Sequence, residues 1–170
     1  MSPNKYDKMY MDIALRAAQE SKCPRKHVGC CVLLESGMIA IGFNGYPAGG
    51  PNEWEDDGTS NPEVIHAEMN ALGKLLEEGV SAKGATVYVT YSPCIECAKL
   101  LVRSKVKRVV YLEAYRKTEG IDYLAKYGVE VEKYVEVRID RDNSRLSTFS
   151  ALYGIENPPA RVFWNLQPTG

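Results

Sequence analysis

Near the N-terminus, apolar residues recur at helical spacing: Tyr6, Met9, Tyr10, Ile13 and Ala17. The period predicts an amphipathic helix over 5–21, with Pro24 just past its end. Val28 to Leu34 and Met38 to Phe43 are apolar runs rich in β-formers, and Glu35-Ser36-Gly37 between them reads as a hairpin turn. Ile65, Met69, Leu72, Leu75 and Leu76 share one helical face, so Val64 to Glu78 is a second helix, ended by Gly79. Beyond it, Thr86 to Tyr91 reads as a strand, 95–104 as a helix, Arg108 to Leu112 as a strand and Thr118 to Lys126 as a helix. An alternating strand through Val129, Val131 and Glu132 completes the series. Helix and strand alternate after an initial hairpin, which predicts an α/β domain with a mixed sheet.

Two stretches fall outside this pattern. Residues 44–63 hold four Gly and three Pro, with five acids and no base from Pro51 to Glu63, and read as a long surface loop. After about 134 the alternation stops. Arg138 to Arg145 is a run of mixed charge and Pro158-Pro159 interrupts any helix, yet Phe149, Leu152, Tyr153, Phe163 and Trp164 are too apolar for a disordered tail. The expected organisation is one domain over 1–134 and an extension over 135–170 that packs on the domain or on a neighbouring subunit.

Composition narrows the function. With 21 Lys plus Arg against 22 Asp plus Glu, the net charge is −1, without the basic excess of a nucleic-acid binder. No apolar run approaches the roughly 20 residues of a membrane span, and the first residues lack the pattern of a secretory signal. A cytoplasmic protein without a membrane or nucleic-acid partner is therefore expected. The five cysteines, Cys23, Cys30, Cys31, Cys94 and Cys97, are odd in number and argue against a disulfide framework.

Two strings carry chemistry: His66-Ala67-Glu68 and Pro93-Cys94-Ile95-Glu96-Cys97. Each falls at the predicted start of a helix, where free N–H groups and the dipole favour thiolate. Two thiolates and one imidazole leave an open corner on a tetrahedral ion, the pattern of a catalytic rather than structural zinc. Such an ion lowers the pKa of a bound water to about 7, and Glu68 is placed to handle the proton. His66 and Glu68 are two residues apart and cannot share a face in mid-helix. The site is therefore expected at the N-terminal end of that helix, with His66, Cys94 and Cys97 as ligands and Glu68 as the catalytic acid–base. Taken singly, the Cys pair also reads as a redox couple, and His27 is a competing imidazole.

The combination resembles the H-x-E…P-C-x-x-C signature of zinc nucleobase deaminases. With Cys23-Pro24-Arg25-Lys26-His27-Val28-Gly29, Gly42-Phe43-Asn44-Gly45, Tyr88-Val89-Thr90 and Ala114-Tyr115-Arg116, the chain resembles the deoxycytidylate (dCMP) deaminase family over roughly residues 5–134. That resemblance implies a three-layer α/β/α cytidine-deaminase-like fold with a mixed sheet of about five strands. It implies hydrolysis of dCMP to dUMP and ammonia, feeding thymidylate synthesis, by attack of water on C4 while Glu68 passes the proton to N3 and then to the leaving amino group. Arg25, Asn44, Ala67, Ser92, Tyr115 and Arg116 would touch substrate: Arg25 and Arg116 at phosphate, Tyr115 stacking or closing the pocket, and Ser92 through its carbonyl, its side chain not being needed. Gly42, Phe43, Asn44 and Gly45 resemble an effector region. The family is commonly homohexameric and governed by triphosphates with Mg2+, dCTP activating and dTTP inhibiting. Residues 44–63 contain neither His nor Cys, so one catalytic zinc and no second, structural one is expected. Alternatives are a deaminase of dCTP, one acting on single-stranded nucleic acid, a nucleoside deaminase, a catalytically idle zinc-stabilised module, and a redox protein built on Cys94 and Cys97.

Overall fold

The computed structural model describes residues 4–50 and 61–135, together with two short strands further on. The chain divides after Tyr134 into two units. In the first, the order is α1 (Asp7–Ala18), β1 (Gly29–Leu33), β2 (Ile39–Phe43), α2 (Ala67–Glu77), β3 (Thr86–Tyr91), α3 (Ile95–Arg103), β4 (Arg108–Glu113), α4 (Glu119–Lys126) and β5 (Glu130–Lys133). The sheet runs β2-β1-β3-β4-β5. The pairs β2–β1 and β1–β3 are antiparallel, while β3–β4 and β4–β5 are parallel. This is the mixed five-stranded sheet that the alternation predicts and that the family resemblance implies.

Strand side chains alternate between faces, and the alternation builds two cores. Cys30, Val32, Val87, Val89 and Val109 pack with Ala67, Ala71 and Leu75 of α2, Ala98 and Leu101 of α3 and Leu124 of α4. Their neighbours Cys31, Tyr88 and Val110 pack with Met11 and Ala14 of α1 on the other face. The result is three layers. An ion-pair cluster fastens α1 to the sheet: Arg108 donates both guanidinium arms to Asp7 at 2.8 Å and a third bond to Glu132 at 2.6 Å, and the Tyr88 hydroxyl donates to Asp7 at 2.8 Å.

Helices approach the sheet closely enough that two strand positions have no room for a side chain. A Cβ at Gly42 would fall on the Ala67 carbonyl oxygen and 2.6 Å from the Ala71 nitrogen of α2. One at Gly29 would fall on the Ala14 carbonyl oxygen of α1 and 2.5 Å from the Ala18 nitrogen.

Most element ends fall within a residue of the sequence expectation, and three features depart further. The first helix occupies only Asp7–Ala18, because the Ser21 hydroxyl turns back to donate to the Asn44 carbonyl at 2.8 Å. Helix α2 begins at Ala67, not Val64, because Ile65 is extended and bridges Gly45 as a strand would. In the second unit, β6 (Val137–Ile139) pairs antiparallel with β7 (Leu146–Thr148), where the mixed-charge run suggested no element. Residues 51–60 of the acidic loop lie outside the described residues, as does most of the extension. Among the described residues no helix is long and apolar enough to cross a membrane.

Candidate active site and metal centre

Two helix starts converge beyond the C-terminal end of β3. His66 is the N-cap of α2 and Cys94 the N-cap of α3, both with extended backbone. In that conformation an N-cap side chain folds back toward the first turn's free N–H groups, and the Cys94 sulfur accepts from the Cys97 N–H at 3.5 Å. Cys97, one turn on, points its thiol to the same spot. The Cys94 and Cys97 sulfurs each lie 3.4 Å from His66 Nδ1. The three donor atoms are all within 4.8 Å of one another, and they form the one such group among the described residues.

The spacing is a test of fit. Zn–N near 2.0 Å and Zn–S near 2.3 Å in a tetrahedron place nitrogen and sulfur roughly 3.6 Å apart, close to the 3.4 Å found. The donor chemistry agrees. The neighbouring Cys97 thiol, with His66 and the Cys97 N–H, outweighs burial and holds the Cys94 thiol down at about 3. Its bond to Cys94 and burial drive the Cys97 thiol far up. His66 is raised by its bond to Cys94 against the opposing effect of burial. Three groups competing for protons at one point are a set that a divalent cation would satisfy, and zinc fits them.

Glu68 stands in the first turn of α2, 4% exposed. Burial raises its pKa above the ordinary carboxylate value, against lowering by its own backbone N–H and by His66. The expectation that His66 and Glu68 meet only at a helix start is borne out by this geometry. His66 is still extended, so the i, i+2 pair is not on a helical surface at all.

His66, Glu68 and Cys94 border a cleft of about 260 Å³, with Cys97 buried behind them. Arg25, Asn44, Ala67, Ser92 and Tyr115 also line it, and Arg116 and His27, both exposed, do not. Two of these residues also hold neighbouring backbone in place. Ser92 contributes more than its carbonyl, since its hydroxyl accepts from the Tyr115 N–H at 2.8 Å and so ties the segment after β4 to the end of β3. Asn44 is 8% exposed. Its side-chain oxygen accepts from the Val28 N–H at 2.8 Å and its amide donates to the Lys26 carbonyl at 2.9 Å. It shapes the 26–28 segment from a distance in sequence. Of the segment resembling an effector region, Gly42 is buried under α2, the Phe43 carbonyl accepts from Asn70 at 3.0 Å, and Gly45 is bridged to Ile65.

The sequence reading missed Lys26, Tyr91 and Asn61, which line the same cleft. The Lys26 ammonium lies 4.2 Å from the Tyr91 ring centre and 4.5 Å from that of Tyr115. Asn61 donates to the Tyr46 hydroxyl at 2.7 Å. The signals were slight: a second cation beside Arg25, and an aromatic one residue before Ser92.

Comparison with known proteins agrees with this geometry. The chain is 37% identical over 146 residues to ComE operon protein 2 of Bacillus subtilis (strain 168), covering 81% of this chain and 77% of that one. It is 33% identical over 165 residues to the deoxycytidylate deaminase of enterobacteria phage T2, covering 71% of this chain and 88% of the relative. Among solved structures, the dCMP deaminase of cyanophage S-TIM5 in complex with dCMP and dUMP superposes with a TM-score of 0.73 at 40% identity, over 79% of this chain and 100% of that one. Residues 4–113 match the model of the cytidine and deoxycytidylate deaminase zinc-binding region. With the imidazole, the two thiols and the buried acid inside that span, and with curated deaminases matched over most of their length, the chain belongs to the deoxycytidylate deaminase family.

Proposed function

We propose that this chain is a zinc-dependent hydrolase converting dCMP and water to dUMP and ammonia. One observation carries the reading: two helix N-termini bring an imidazole and two thiols to zinc spacing in a cleft where a buried, protonatable carboxyl group also sits. His66, Cys94 and Cys97 would hold one ion per chain, and zinc so held supplies Lewis-acid activation of water. Glu68 does the proton work. Its raised pKa lets the carboxylate take the proton of the attacking water, deliver it to N3 of the ring, and then protonate the departing amino group. Arg25 serves the phosphate from the cleft lining, where a guanidinium forks onto oxygen pairs, and Arg116, exposed outside the lining beside Tyr115, would reach the phosphate only from the rim. Tyr115 closes over the nucleotide, Ser92 holds Tyr115, and Asn44 and Ala67 form the pocket wall.

The finer reading extends to control. Activation by dCTP and inhibition by dTTP, with Mg2+, in a cytoplasmic homohexamer that supplies dUMP for thymidylate synthesis, is supported by the likeness of Gly42-Phe43-Asn44-Gly45 to the family's effector region. The deaminase domain is assigned to 1–134.

Ammonia release from deoxycytidine, dCMP and dCTP, with and without dCTP or dTTP as effectors, tests the reading. dCMP is the expected substrate. Glu68→Gln should keep its zinc and lose about 10²–10⁴-fold in kcat, and wild-type turnover by that variant would end the assignment of Glu68.

A further inference from the structure

The chemistry above leaves Lys26 and Tyr91 without a task, although both line the cleft that holds His66 and Glu68. The Lys26 ammonium faces two aromatic rings, at 4.2 Å from Tyr91 and 4.5 Å from Tyr115. Among the described residues it pairs with no carboxylate. Everything around it is fastened. Its own carbonyl accepts from the Asn44 side chain at 2.9 Å. The Tyr115 N–H is held by Ser92 at 2.8 Å. The Tyr91 hydroxyl is bonded to Glu113, and burial together with that acid pushes it up to about 12, so the ring remains a neutral phenol.

A cation over the faces of two rings is held by the weak attraction of their quadrupoles, whereas a hydrogen bond between an ammonium and an anionic oxygen is charge-assisted and stronger. The ammonium is thus kept at the cleft by contacts that an anion outcompetes. Lysine offers a point charge on a flexible stem and can swing from the rings to an oxygen without disturbing the backbone. The exposed Arg116 does not line the cleft; Lys26 does.

We infer that Lys26 is a specificity-determining residue that reads the phosphate monoester of the substrate, with the Tyr91 and Tyr115 rings storing its ammonium at the cleft until the anion arrives. The inference rests on the monophosphate reading above. Removing the charge should then weaken the monophosphate selectively. It should leave the base and sugar contacts, and the proton chemistry of Glu68, in place.

The test compares Lys26→Met, Lys26→Arg and Tyr91→Leu with wild type on dCMP and on deoxycytidine, with melting curves to verify folding. In Lys26→Met, kcat/KM for dCMP should fall at least about tenfold more than for deoxycytidine, the loss of one charge-assisted bond. The change should sit in KM rather than kcat, and KM for dCMP should become less sensitive to salt. Lys26→Arg should restore most of the selectivity, and Tyr91→Leu should fall between. Equal losses on both substrates in Lys26→Met, or an unchanged preference for dCMP, would overturn the role of Lys26 while leaving the dCMP reading intact. A wild-type enzyme that shows no preference for dCMP over deoxycytidine would overturn both.

Discussion

Replacing Gly42 with alanine adds one methyl group where β2 and α2 touch. The new carbon would fall on the Ala67 carbonyl oxygen and 2.6 Å from the Ala71 nitrogen, both helix backbone that cannot swing aside. Ordinary separation is about 3.5 Å or more, so α2 must back away by about 1 Å. Overpacking of this kind costs about 1–3 kcal/mol, or roughly 2–12 °C in Tm for a chain of this size. The retreat is centred on Ala67, between His66 and Glu68. A misplacement of about 1 Å at reacting groups costs on the order of 10²-fold in rate. Gly29→Ala is the matched control. It collides as closely, with Ala14 and Ala18, but on α1, which carries no ligand. Both variants should lose comparable stability in thermal melts. Only Gly42→Ala should lose zinc affinity and about 10²-fold in kcat/KM for ammonia release per folded chain. Activity losses that follow stability equally in the two variants, or a fully active Gly42→Ala, would refute the claim that β2 sets the position of the α2 N-terminus.

Two further outcomes follow from the charged groups. Zinc binding near neutral pH should release about one to two protons per ion, because thiol and imidazole donors bind deprotonated and Cys97 and His66 are both held above their ordinary values. Calorimetry in buffers of different ionisation enthalpy measures this, and zero release would contradict the donor set. The Asp7 carboxyl is buried, which alone would raise its pKa. The bonds from Arg108 and Tyr88 prevail and hold it below 3.8. Its stabilisation is therefore complete above the ordinary carboxylate value and fades as pH falls through the lower, folded one. Asp7→Asn should cost about 2–4 kcal/mol at pH 7, less than a fully broken buried pair because Arg108 keeps Glu132. The gap to wild type should shrink at pH 3 in denaturant unfolding, and a gap of equal size at both pH values would exclude the ion pair as its source.

Much of the site was legible because its chemistry is local. His66 and Glu68 lie two residues apart and Cys94 and Cys97 three, and each pair stands at the start of one helix, so the members of a pair are neighbours by local geometry. The strand periods were legible for the same reason, since alternation is a property of each segment and decides which face every valine meets. The start of α2 was misjudged because Val64 and Ile65 suit either state, and pairing with distant Gly45 makes them extended.

Sequence alone thus determined the element order of the first unit, the mixed sheet and the grouping of one imidazole with two thiols, all set by residues within a turn or two of one another. Tertiary structure alone decided what depends on separation. Arg108 meets Asp7 across 101 positions, Asn44 shapes the backbone 16 and 18 residues before it, and Lys26 faces rings at 91 and 115. No local pattern encodes those meetings, because an ammonium, an amide or a guanidinium can bond many partners, and only the packing of helices on the sheet selects one.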